Sequence, residues 1–519
     1  MLSLFLCPSK NHRLKYLNTT SHLRIIFSGV LLLHFVDLVI FFLKFLTVYT
    51  DSDQTILWLA GTDMSRGIFY EPAFYGQSYN SMIEAVLSLP MIWAGVFIPL
   101  ALNISTVVLS YSAIWLFSWY FYKKGNFQLS ILCLALPILL PTEFQLMISI
   151  SRGFIPGIAF VLYGVYCYLT HKGNFKLALS GFFIAFGVVF NLNCSVILVP
   201  FVVYYLLQPS STKRNELFLA FLGSLPAIFF KAFIVWFYST FPNYNMHVFP
   251  NEFGYSIKNW TYAASEIYYL FKGLFPIVNN LGCLSIILLL VLLLLILKKS
   301  NKSHEKLAAV SGFLFILFSF GISKVSDGTG SPFFPYSRMF LAIPALYIFY
   351  LAIIKHYTSL RIPYYILLIS VLGVFIFKTI SLPDRIKYIV EHNTGAVRVD
   401  KIENICHSCD SIQRLLTQTK TDLIVLKTKR DEINYGCPAL INGLKTIHPT
   451  YERRLWVYEK EMFTPRKKFL LYMEGQVKDT SMVMVAKNYY IVTLPSAITL
   501  EEWYKSQNFT LRNYNKSAL

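Results

Sequence analysis

Two carboxylates stand two residues apart in Tyr49-Thr-Asp-Ser-Asp-Gln-Thr-Ile-Leu-Trp58. Asp51 and Asp53 directly follow the first long apolar run, which puts them at the end of a membrane span. A carboxylate there can act as a general base, taking a proton from an acceptor hydroxyl or amine while a leaving group departs. The same pair offers hard oxygen ligands to one divalent ion, although no cofactor is required by the sequence. Either acid alone is equally well read as a solvated loop residue. An apolar, helix-like stretch, Ile56 to Met64, comes next, then Gly67, then the cluster Tyr70-Glu-Pro-Ala-Phe-Tyr-Gly-Gln-Ser-Tyr-Asn80. Flat rings suit a pyranose face and amides suit its hydroxyls, so Glu71, Tyr75, Gln77 and Tyr79 are candidate sugar-binding residues.

The elements that must position these residues are membrane helices. Apolar residues make up 55% of the 519 and charged residues only 14%, against roughly a quarter charged in soluble chains. Mean hydropathy is +0.52, and Leu281–Leu297 is almost unbroken Leu, Ile and Val. The net charge of +19 does not mark a nucleic-acid partner. Lys and Arg fall in short clusters between apolar runs, with no single basic stripe. The clusters at Lys123-Lys124, His171–Lys176, Lys213-Arg214, Lys298–Lys306 and Lys355–Arg361 are read as cytoplasmic, together with residues 1–24. The first apolar run, Ile25 to Val48, is too long for the core of a signal peptide and reads as an anchor.

About eleven spans follow from this loop pattern, near 25–48, 100–122, 128–147, 154–170, 177–191, 194–207, 216–238, 279–298, 307–322, 338–354 and 363–381. The stretch 86–99 either extends the second span or lies on the outer interface. The expected fold is mainly α: a polytopic membrane helix bundle over 25–381, with a first outer loop at 49–88. An odd number of spans puts residues 382–519 outside as a small α/β domain. A helix is expected at Ser411–Thr417, and strands at Leu423–Lys427, Leu455–Tyr458, Lys468–Met473 and Ser481–Thr493. No Gly-rich phosphate loop is present. Cys406, Cys409 and Cys437 lie together in this domain and are open to a disulfide with one spare thiol, to free thiols or to a metal site. An outer compartment favours the disulfide.

The order Asp51-Ser-Asp53, helix through Met64, Gly67, then Tyr75-Gly-Gln-Ser-Tyr79 resembles the GT-C superfamily of polytopic glycosyltransferases. That superfamily includes the dolichyl-phosphate-mannose protein mannosyltransferases and the aminoarabinose lipid A transferases. The resemblance is specific over about residues 45–95 and generic elsewhere. It implies transfer of a sugar from a polyprenyl-phosphate-linked donor to a glycan, glycolipid or protein acceptor outside the cytoplasm. It also implies Asp53 as the counterpart of the catalytic acid. Here Ser52 separates acids that are commonly adjacent, so Asp51 stays a candidate beside Asp53.

Such a donor needs cations at the outer mouth of the bundle. Arg152, in the turn Ser151-Arg-Gly153, and Arg338, in Phe334-Pro-Tyr-Ser-Arg-Met-Phe340, are the candidates. Snorkelling at the interface is the plainer alternative for each. Asp37 is expected to pair with a neighbouring helix, and Glu143 to face the cavity. Lys231 sits at membrane depth, Glu84 reads as a loop acid or a supporting group, and His247 as a solvated loop residue. The aromatic stretch Tyr255–Leu274 is expected to rest on the outer interface. Compact loops favour a bacterial inner membrane, with a cytoplasmic N-terminus and a periplasmic C-terminal domain. Three other readings compete, among them a non-catalytic membrane scaffold, which the clustered polar aromatics disfavour. An O-antigen-type polymerase or ligase would place its important loop late, and a transporter would show internal repeats or paired broken helices.

Overall fold

The computed structural model describes residues 10–170, 173–209, 213–244, 254–278, 281–326, 336–355, 364–392, 399–427, 431–447, 466–473 and 482–507. The chain is mainly helical. α1 (Lys10–Phe41) runs through a π turn into β1 (Tyr49–Asp51) and α2 (Ser52–Ser65). Then come α3 (Ile83–Trp93), α4 (Ile98–Lys123), α5 (Phe127–Leu139), α6 (Thr142–Ser149), α7 (Ile155–Thr170), α8 (Asn174–Phe190), α9 (Ser195–Leu207) and α10 (Lys213–Thr240). They are followed by α11 (Ile257–Ser265), α12 (Ile267–Leu270), α13 (Cys283–Lys299), α14 (Ser303–Ser319), α15 (Ser323–Ser326), α16 (Ile343–Lys355) and α17 (Tyr364–Glu391).

Among the described residues, four helices are long and apolar enough to cross a membrane: Leu23–Leu46, α4, α10 and Ile366–Glu391 of α17. α5 and α6 make a fifth if counted as one span, but they meet at 98°. The single span expected over 128–147 is therefore broken, and proline chemistry explains it. Pro141 has no N–H to close the next helical bond. The apolar stretch 86–99 is divided: Ile98 and Pro99 open α4, and most of the rest stands apart from that span in α3, packed against both α2 and α4. Asn191 caps the 3₁₀ turn Leu192–Cys194 that separates α8 from α9, between the spans expected near 177–191 and 194–207. α10 lies on α8 with backbones touching: a Cβ on Gly223 or Gly181 would collide with the carbonyl of Ala178 or Ala220. Its other face leaves Phe218, Phe229 and Trp236 exposed, as a lipid-facing surface does.

The C-terminal unit contains β2 (Val399–Lys401), α18 (Ile402–Thr419), β3 (Leu423–Lys427), α19 (Asp431–Leu440), β4 (Lys445–Ile447), β5 (Lys468–Met473), β6 (Met482–Ala486), β7 (Tyr489–Thr493) and α20 (Leu500–Ser506). Its sheet has the order β4-β3-β5-β7-β6, with β3 parallel to both neighbours and the β5-β7-β6 part antiparallel. The strand expected over 481–493 is a hairpin, turned at Asn488 with φ 67°. The strand expected at 455–458 and the residue His247 lie outside the described residues.

The expected boundary at 382 does not isolate this unit. α17 runs on to Glu391, and β2 pairs antiparallel with β1, Thr50 opposite Asp400. α2 packs on α19, so Ile56, Leu57, Trp58 and Leu59 share one core with Ile405, Ile412 and Tyr435. A Cβ on Gly436 would meet the Ile405 Cγ2 methyl at 3.0 Å, so the two helices pack closely there. Cys409 and Cys437 form a disulfide that ties α18 to α19, and Cys406 is the remaining, half-buried thiol. Of the three readings the sequence left open, this is the disulfide with one spare.

Candidate active site

The site begins with a helix start. Asp51 is extended (φ −143°) and caps α2, its Oδ1 accepting from the backbone N–H of Asp53 at 2.9 Å and of Gln54 at 3.2 Å. An aspartate at this position satisfies N–H groups that the helix itself cannot. Gln54 Nε2 donates to Asp51 Oδ2 at 2.6 Å. At its far end α2 stops through Gly67 (φ 75°), which lets Ile68 N–H reach the Asp63 carbonyl at 3.0 Å.

Arg152 approaches from the turn after α6. Its Nε and Nη2 donate to Asp51 Oδ1 at 3.2 and 3.1 Å, and Nη2 lies 3.4 Å from Asp53 Oδ2. The two acids are not equivalent. Asp51 and Arg152 have fully buried side chains, whereas the Asp53 side chain is 17% exposed. Burial pushes the Asp51 carboxyl above the ordinary carboxylate range, the Arg152 guanidinium pulls it back, and the charge of Asp53 pushes it up again. The guanidinium supplies the positive charge between the carboxylates. A divalent ion held by both acids would have to displace it.

The turn carrying Arg152 is fixed on several sides. Glu84 at the start of α3 is fully buried, and its Oε1 accepts from Gly153 N–H at 3.1 Å. Burial raises its carboxyl to about 7, with the backbone amides of Gly153, Glu84 and Arg152 opposing the shift. Asn191 Nδ2 donates to Asn80 Oδ1 at 2.8 Å and to the Gly153 carbonyl at 3.1 Å. Ser151 Oγ lies 2.6 Å from Thr106 Oγ1 on α4.

The sugar-binding candidates divide. Tyr75 is buried with its hydroxyl donating to Asp63 Oδ2 at 3.1 Å, and Gln77 is buried in the turn closed by its own N–H to the Phe74 carbonyl at 2.8 Å. Glu71 is buried too, accepting from Gly76 N–H at 3.1 Å and from the Tyr238 hydroxyl of α10 at 2.7 Å. These three hold the loop together. Tyr79 is only half-buried, and its ring lies 4.8 Å from Lys324 Nζ on α15. Arg338 rests over the ring of Phe154 at 5.9 Å, two residues along from Arg152. Just past Phe154 and Arg338, Ile155 and Leu341 help line an apolar cavity of about 330 Å3 between α4, α5, α7, α9 and α16.

Outside this cluster, Asp37 pairs with α17 as a neighbouring helix: Lys378 Nζ lies 3.9 Å away, and Gln145 donates to Asp37 at 3.0 Å. Glu143 is ion-paired with Arg385 of α17. Lys231 is exposed on α10. Sequence reasoning passed over Lys324 and Lys378. The signal for Lys378 was present, since a lysine inside an apolar run needs a partner. For Lys324 it was a basic residue in a loop assigned to the outer side. No known protein family, curated protein or solved structure matches the chain.

Proposed function

We propose that the chain is a GT-C-type membrane glycosyltransferase that moves a sugar from a polyprenyl-phosphate-linked donor to an acceptor outside the cytoplasm. The observation that carries this reading is the unequal acid pair. One guanidinium grips both carboxylates, but only Asp53 opens outward. Asp53 takes the proton of an acceptor hydroxyl as that oxygen attacks the anomeric carbon. The carbon–oxygen bond to the carrier breaks, and polyprenyl phosphate departs with the electron pair. Asp51 and Arg152 hold Asp53 in place. Arg338 and Lys324 lie where a carrier phosphate would meet cations, with the apolar cavity beside them for part of an isoprenoid chain. The reading carries with it the eleven-span arrangement, a cytoplasmic N-terminus and a C-terminal unit in the periplasm of a bacterium.

Mass spectrometry of surface glycolipids, polysaccharides and glycoproteins tests it. A deletion strain should lose one sugar mass, regained with wild type and not with Asp53→Asn at equal membrane expression. Shortened glycans would favour a polymerase or ligase, and unchanged profiles would sink the transferase reading. A lipid-linked-glycan transporter is the second reading, favoured by the broken helix pair α5–α6 and the buried Asp37 of α1 and Lys378 of α17 packed against it.

A further inference from the structure

The bend between α5 and α6 leaves carbonyls without helical donors. The Pro137 oxygen would bond the amide four residues on, but that residue is Pro141, which has none. The Leu140 oxygen loses its donor because the N–H of Phe144 turns to the Pro141 carbonyl at 3.0 Å. Lys378 Nζ takes both oxygens, Pro137 at 3.2 Å and Leu140 at 3.1 Å, and also Gln145 Oε1 at 3.3 Å. The carboxylate of Asp37 stands 3.9 Å away, held by Gln145 Nε2. One cation is thus faced by four oxygens: two from a half-helix C-terminus, one amide and one carboxylate. Half-helix C-termini carry the negative end of the helix dipole, and in discontinuous membrane helices such ends coordinate monovalent cations.

We propose that this bend is a monovalent-cation site whose resident is the tethered ammonium of Lys378. With the tether gone, the cradle takes a free alkali or small alkylammonium ion. The resident cation sets the angle at which α6 leaves the break, and α6 delivers Arg152 three residues beyond its end. The Glu143–Arg385 ion pair grips the same helix from α17. This inference stands apart from the transferase reading, because it concerns an ion and a helix angle and needs no sugar.

The test is thermal unfolding of the purified full-length chain in detergent, in potassium, n-propylammonium or tetramethylammonium chloride at equal ionic strength. Lys378→Ala should melt several degrees below wild type. Potassium and n-propylammonium should restore much of that loss, and tetramethylammonium, which has no N–H and is too bulky for the cradle, should not. Wild type should not discriminate among the three salts. Equal behaviour of Lys378→Ala in all three, or the same discrimination by wild type, would overturn the proposal. Lys378→Met combined with Asp37→Asn removes both charges and retains volume. It should accumulate, melt below wild type and ignore every cation. Wild-type melting, or a surviving ion response in that pair, would also overturn it.

Discussion

The segment 49–88 and the segment 254–278 both join apolar helices, and they are built in opposite ways. In the first, the apolar side chains from Ile56 to Ala60 are all buried, and its acids are capped or paired. In the second, Ile257, Trp260, Tyr262 and Tyr269 stay exposed. It is pinned to the end of α14 by backbone bonds such as Ser256 N–H to the Gly321 carbonyl at 3.0 Å, and by Trp260 Nε1 to the Leu317 carbonyl at 2.9 Å. The contrast separates two jobs that a membrane protein needs at its surface. One segment spends its side chains fixing a single carboxylate in space. The other leaves part of its rings exposed, as suits a wet apolar boundary.

Substitutions can break that contrast. The largest effect is expected at Asp53. If the proposed transferase reading holds, Asp53→Asn should lower sugar transfer about 100- to 10,000-fold, the usual range for a lost general base, while the melting temperature stays at the wild-type value. A large stability loss instead would make Asp53 another structural residue like Asp51. Arg152→Met should do the reverse of a clean catalytic lesion. It leaves two neighbouring carboxylates without their cation and should cost about 3–5 kcal/mol in denaturant unfolding.

How much of this was legible in the sequence depends on distance along the chain. The body of α2 was readable from its apolar stretch Ile56 to Met64, but the acids were read for their chemistry and the capping role of Asp51 was missed, although an aspartate before an apolar run signals a cap. Strand β5, next to the hairpin, was readable, as were the four spans expected near 25–48, 100–122, 216–238 and 363–381, where long apolar helices lie. The pairing of β1 with β2 was not, because no local pattern connects Thr50 to Asp400. Nor was the burial of Tyr75 and Gln77. Tyrosine and glutamine in a loop look like binding groups until the core behind them is known. The broken span was half legible: Pro137 and Pro141 are visible breakers, but an apolar run of spanning length hides a bend.

Two further outcomes sharpen the picture of the fixed segment. Removing the bridge with Cys409→Ala and Cys437→Ala should lower stability by about 3 kcal/mol and loosen α19 under α2, seen as faster amide exchange in α2. Unchanged exchange there would mean that α19 holds α2 without its clamp. Glu84 gives a pH signature. Its carboxyl titrates near 7 when folded and near the ordinary 4.3 when unfolded. The folded state therefore binds more protons between those values, and stability falls as pH rises through that window, by on the order of 3 kcal/mol in total. Glu84→Gln should flatten this slope in urea titrations from pH 4 to 8. An unchanged slope would assign the effect elsewhere.

The smallest effect is expected in the exposed segment. Trp260→Phe gives up the Nε1–H bond to the Leu317 carbonyl and should cost about 0.5–1.5 kcal/mol. In bilayers of brominated lipid it should remove a quenchable share of the tryptophan fluorescence. If that share is unchanged, the ring does not face lipid, and the two segments are less different than their surfaces indicate.

The ribbon of β1 with β2 also sets a schedule. A ribosome delivers Asp51 to the membrane and must then add the whole helical bundle before it reaches residue 400, roughly 20–70 s later at ordinary translation speeds. Until then α2 shows its apolar flank to solvent or to a chaperone, and its acids have no finished strand behind them. A nascent chain bearing every helix through α17 consequently lacks both the strand and the core that hold its first loop. A stop codon between the end of α17 and the start of β2 would leave every helix of the bundle in a chain whose first loop lacks its strand partner.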